Sequence, residues 1–227
     1  MLFLLVSFLS GVLVTAGAWL LWRHFSLRAN APSAPQSAPL TEWDLRNMAY
    51  HEAGHAVCSF FLPERERLLV VTIDPSAEAF GMIRTELRPH HNETKTSFSS
   101  SLSTLLAGRL AEEIFLKNTT TSCIHDLAAA QSMATEMVTR FGMGQKLGLS
   151  VLTCAEGGIS SEFHRRQIVE DIRQLLDEAK NNAEHILLEH KHTVVALAER
   201  LLEDKTLRAD EISCFFEKME GKHDEGR

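Results

Sequence analysis

Apolar positions along the chain fall into three patterns. From Phe3 to Trp22 the sequence is almost wholly apolar and carries no charge. That is about 20 residues, the length a helix needs to cross ~30 Å of hydrocarbon. Further on, apolar residues recur at helical spacing. Leu102, Leu105, Leu106, Leu110 and Ile114 mark one face of a helix over 97–116. The same spacing predicts a helix that opens with His125-Asp126-Leu127 and runs to Arg140. It also predicts long amphipathic helices across 160–190 and 192–204, and a short one over 209–219. An apolar helix starts at Thr41, where Asp44 three residues on completes a capping pair, and Pro63 stops it. Two short runs, Leu68 to Ile73 and Phe80 to Thr85, read as strands around an Asp74-Pro75-Ser76 turn. Residues 118–122 and 145–158 read as loops. The pattern predicts a mainly α domain with a small β-sheet, whose outer strand can pair with an extended peptide.

Ahead of that domain, Ala29 to Pro39 holds three prolines among small polar residues and reads as a semi-extended tether. Arg23 and Arg28 lie directly after the apolar segment, so the positive-inside rule places the C-terminal remainder of the chain in the cytoplasm, with a single pass through the membrane. A cleaved signal peptide is the competing reading, with small residues at Ala16-Gly17-Ala18, but no basic leader precedes the segment. The division predicted is a transmembrane anchor with basic flank over 1–28, a linker over 29–40, a folded domain over 41–219 and a polar tail over 220–227. A net charge of -7 and no basic stripe argue against nucleic acid as a partner. Cys58, Cys123, Cys154 and Cys214 form no Cys-x-x-Cys pair and read as reduced thiols.

The candidate chemistry lies in Ala49-Tyr50-His51-Glu52-Ala53-Gly54-His55-Ala56. Residues four apart share a helix face, so His51 and His55 can offer two imidazoles to one metal. Glu52 lies beside them, placed to take a proton from water activated there. With eleven histidines in 227 residues, a chance His-Glu-x-x-His is not negligible. A catalytic zinc takes three protein ligands and keeps one position open. For the third, spacing offers Glu112 or Glu113, His125, Asp126, and the paired His90 and His91 in a polar loop, with Cys123 a minor alternative. Chemistry alone leaves Glu112, His125 and Asp126 open.

Several further segments fall in one order with this motif. They are Val71-Thr72-Ile73 with Gly81, Ala107-Gly108-Arg109-Leu110-Ala111-Glu112-Glu113, Asp126-Leu127, and Met137 to Met143 with Leu147-Gly148. Near the end come Leu201 to Leu207 and Asp210-Glu211-Ile212. Together, from about Asn47 to Met219, the chain resembles the peptidase domain of the FtsH family of membrane-bound, ATP-dependent zinc metalloproteases. The resemblance implies Zn²⁺ as cofactor, His51, His55 and Asp126 as its ligands, and Glu52 as the catalytic base. It also suggests a hexameric ring, while a sheet edge beside an open zinc position leads to the expectation of unfolded polypeptide substrates. His125 stands where the family has asparagine. No Gly-x-x-x-x-Gly-Lys-Ser/Thr occurs in these residues; the one Gly-Lys pair, Gly221-Lys222, is followed by His223. The expectation is a membrane-anchored zinc endopeptidase for unfolded or membrane-proximal chains, without its own ATPase module and served by a separate AAA ATPase if one is needed. The competing expectation is a non-catalytic adaptor subunit for full-length relatives.

Overall fold

The first described element, α1 (Glu42–Phe61), starts where the capping pair predicts. The Thr41 hydroxyl accepts the Asp44 N–H at 3.2 Å, and the Asp44 carboxylate accepts the Thr41 N–H at 2.8 Å. The computed structural model describes residues 40–63, 67–74, 81–86, 92–149 and 162–224. The apolar segment, the tether, His90, His91 and Cys154 lie outside the described residues. No described helix is long and apolar enough to cross a membrane.

From Asn47 to Ser59 every residue of α1 is buried, so this helix is the centre of the fold. It lies against α2 (Lys95–Ala111), and Gly54 sets the distance. A Cβ at that position would stand 2.6 Å from both the Ala107 carbonyl oxygen and the Ala111 methyl. Small residues on both helices therefore let the backbones meet. The sequence predicts one helix to residue 116; instead α2 ends at Ala111 and a π-helical turn spans Glu112–Leu116, closed by Lys117 with φ 55°. The wider turn sets Glu112 against α1, where it is wholly buried. A 3-10 turn (Thr121–Cys123) then leads into α3 (Ile124–Thr139).

The sheet has three strands where the sequence pattern predicts two. β1 (Leu68–Thr72) lies between β2 (Met82–Thr85) and β3 (Thr206–Arg208), antiparallel to both. Val71 faces Ile83 on one side and Leu207 on the other. β3 is three residues between two helices, too short to show the alternation by which strands are read. Because β1 is central, β2 keeps its outer edge without a strand partner among the described residues.

Leu102 of α2, Met137 and Val138 of α3, and Ile172 and Leu175 of α4 (Glu162–Glu189) form the apolar core beside α1. α5 (Lys191–Asp204) and α6 (Ala209–Asp224) complete the domain, and α6 runs on through the start of the predicted polar tail. One charged residue of this core gives no sign in the sequence. Asp171 of α4 is 1% exposed and accepts the N–H groups of Gln145, Lys146 and Leu147 at 2.9 to 3.1 Å. It fastens the turn after α3, and Gly144 passes so close that a Cβ there would overlap the carboxylate. Asp171→Ala is expected to cost about 1–3 kcal/mol by leaving those amides without an acceptor. Asp171→Asn, which keeps one carbonyl oxygen, should cost less. Denaturant unfolding measures both, and wild-type stability in the alanine variant would remove this role.

Candidate metal centre

Two histidines one turn apart on α1 have their rings 4.6 Å apart and nearly perpendicular. What lies behind each ring fixes its protonation. His51 Nδ1 lies 2.7 Å from Glu112 Oε1, and His55 Nδ1 lies 2.7 Å from the Thr104 carbonyl oxygen. A carbonyl and a carboxylate can only accept, so both Nδ1 atoms carry the proton and donate it. The lone pairs are thereby left on the two Nε2 atoms, which face each other at 3.0 Å. Asp126 Oδ2, from the first turn of α3, lies 3.1 Å from His51 Nε2 and 3.4 Å from His55 Nε2. The three donor atoms are within 4.8 Å of one another.

Two lone pairs and a carboxylate oxygen held this close repel unless a cation lies among them. A proton on His51 relieves the same repulsion. Burial pushes the His51 pKa down, but Asp126 and Glu112 outweigh it and raise it to about 10. Burial also works against the charge on Asp126, yet its bonds to His51 and His55 hold its carboxyl well below the ordinary range. Two imidazole nitrogens and one carboxylate oxygen, converging from α1 and α3, suit zinc, which in catalytic sites takes three protein ligands. Gly108 of α2 makes space for the convergence: a Cβ there would overlap His55 Nε2 and stand 2.7 Å from His51 Nε2.

Glu52 follows His51 on α1 and is 6% exposed. Burial raises its pKa, and the neighbouring His55 and His51 only partly offset that rise. Its carboxylate rests against the backbone just before β2. A Cβ at Gly81 would overlap Glu52 Oε1, and Gly81 has φ +96°, a conformation that side chains disfavour. The buried Glu52 carboxylate therefore lies at the head of β2, an edge strand among the described residues, on the same helix as the histidine pair.

The other candidate ligands among the described residues lie elsewhere. Glu112 is behind His51, and both its oxygens are engaged: Oε2 accepts the Thr120 N–H at 2.6 Å, and Oε1 accepts from Ser122 Oγ at 3.0 Å. Glu113 and His125 are exposed, and neither belongs to the cluster. Cys123 is buried, but its thiol donates to the Thr120 carbonyl at 3.3 Å. Cys58, behind the site on α1, has its thiol pushed up to about 12 by burial, against an opposing bond with Thr104. The sequence shows Gly81 and Gly108 only as parts of matching segments; their contact with Glu52 and the histidines needs the fold. The Thr104 carbonyl is main chain and leaves no mark in the residue types.

A family model described as Peptidase family M41 matches residues 39–214. The chain belongs to peptidase family M41. The chain is 33% identical over 187 residues to the ATP-dependent zinc metalloprotease FtsH of Rubrobacter xylanophilus, covering 76% of this chain and 28% of the relative. It is 34% identical over 192 residues to FtsH 2 of Methylacidiphilum infernorum (78% and 30%). Against FtsH of Thermus thermophilus it is 33% identical over 186 residues (78% and 30%). It thus spans about 30% of the length of these relatives. The family expected from the sequence motifs is the one found.

Proposed function

We propose that this M41 chain is a zinc metalloendopeptidase that cleaves unfolded or membrane-proximal polypeptides. The observation that carries the reading is the meeting of the His51, His55 and Asp126 donor atoms with the buried Glu52 at the head of an edge strand. The three donors hold the zinc, and Glu52 serves as catalytic base. Bound there, zinc supplies a Lewis acid that polarises the scissile carbonyl and lowers the pKa of water. An extended substrate segment pairs with the outer edge of β2, which sets its backbone beside Glu52. Glu52 takes a proton from the attacking water and returns it to the leaving amine nitrogen. Glu112 and the Thr104 carbonyl keep each Nδ1 protonated, so both Nε2 lone pairs stay aimed at the site. Zinc in the names of the FtsH relatives agrees with this donor set.

In the same proposal Phe3 to Trp22 anchors the chain in the membrane, residues 29–40 tether it, and 41–219 form the peptidase domain on the cytoplasmic side. Energy for unfolding would come from an ATPase elsewhere in the assembly, in a hexameric ring. These 227 residues contain no phosphate-cradling loop, so tested by themselves they meet substrates without a motor. Opening a folded domain costs ~5–15 kcal/mol. The purified, zinc-loaded protein should therefore cleave casein without ATP and leave a tightly folded fluorescent reporter intact. Loss of casein cleavage on chelation and recovery with zinc would support the proposal. Casein left intact by fully zinc-loaded protein would refute it and favour the adaptor reading.

A further inference from the structure

The third ligand, Asp126, arrives on a helix that has no cap of its own. The residue before α3, Cys123, makes no side-chain capping bond. What holds the approach to this helix lies one turn earlier. Thr120 donates its N–H to Glu112 Oε2 at 2.6 Å, and its hydroxyl lies 3.2 Å from Glu112 Oε1. The Ser122 hydroxyl lies 3.0 Å from the same Oε1 and 2.6 Å from the Thr120 hydroxyl. The Thr120 hydroxyl also accepts the Ser122 N–H at 3.3 Å, and the Thr120 carbonyl accepts from Cys123 Sγ. Glu112 is 0% exposed, and its Oε1 also accepts the proton of His51 Nδ1. One buried carboxylate therefore grips a zinc-facing histidine of α1 on one side and the lead-in to Asp126 on the other.

Given the zinc site proposed above, on which this rests, we infer that Thr120 and Ser122 are positioning residues that register Asp126 against the histidine pair through Glu112. Their hydroxyls touch neither the three donor atoms nor the space between them. Ser122 is exposed, so water can take over a single hydrogen bond to Glu112 when its hydroxyl is removed. Water cannot tie the turn to the carboxylate. Removing the hydroxyls thus loosens the first turn of α3, leaving the Thr120 N–H as its one bond to Glu112, while the bond from His51 Nδ1 to Glu112 keeps that ring oriented. The consequence falls on the Asp126 ligand bond: zinc leaves faster and its coordination geometry loosens. A role confined to folding would change stability without changing either property.

The test compares Thr120→Val/Ser122→Ala with wild type and with Thr120→Ser and Ser122→Thr, which keep the hydroxyls. Zinc release to a chromogenic chelator and the visible spectrum of the cobalt(II)-loaded protein are the readouts, with far-UV circular dichroism as the check of folding. The double variant should release zinc roughly 10–100-fold faster and show altered cobalt bands. The two hydroxyl-keeping variants should match wild type. A folded double variant with wild-type release and an unchanged cobalt spectrum would overturn the inference. If the double variant does not fold, Ser122→Ala against Ser122→Thr decides. Faster release in the alanine variant alone supports the clamp, and equal rates overturn it. Wild-type protein that binds neither metal would instead overturn the zinc site, and the clamp with it.

Discussion

Glu52→Gln is expected to lower peptide cleavage by roughly 10²–10⁴-fold, the usual contribution of a positioned acid–base group, with zinc content unchanged near one per chain. The amide has nearly the shape of the carboxylate, so the contact with the Gly81 backbone survives. Burial already disfavours the charge at this position, so a neutral side chain does not threaten the fold. What is lost is the ability to accept a proton from water. Glu52 supplies none of the three clustered donor atoms, so metal retention has no reason to change. Casein cleavage and metal analysis on the same preparation check both halves. Substantial hydrolysis by pure variant protein would remove Glu52 from the mechanism.

Asp126→Ala should lose zinc and activity together, whereas Glu112→Ala should still bind zinc, about 10–100-fold more weakly. Asp126 Oδ2 lies within 3.4 Å of both Nε2 atoms, so its removal leaves only two protein donors. Glu112 meets His51 at Nδ1, on the far side of the ring from the site. Its loss weakens the orientation of one ligand and strands the Thr120 N–H, but it subtracts no donor atom. Zinc measured after extensive dialysis separates the two. Retention in Asp126→Ala with complete loss in Glu112→Ala would exchange their roles.

These two acids show how far the residue pattern alone reaches. His51 and His55 are legible because helical spacing puts them on one face, and Thr41 with Asp44 is legible because a cap is local. The third donor of the cluster is not local. Spacing leaves Glu112, His125 and Asp126 equivalent, and the choice depends on how the π-helical turn and the 3-10 turn deliver their side chains. Neither turn has a periodicity to read. β3 escapes notice for a related reason, since three residues between helices pair only because β1 offers a free side. Asp171 looks like one more charge on an amphipathic helix until the turn after α3 folds onto it. Gly108 looks like a packing residue, and its approach to both Nε2 atoms emerges only when α1 and α2 are in contact.

The proposed mechanism depends on zinc sitting among His51, His55 and Asp126. X-ray absorption at the zinc edge of the metal-loaded protein tests it most directly. Two imidazole nitrogens and carboxylate or water oxygen at about 2.0–2.2 Å, with no sulfur, are expected. A sulfur shell near ~2.3 Å would bring Cys123 into the site, and a shell with fewer than two imidazoles would contradict the histidine pair itself.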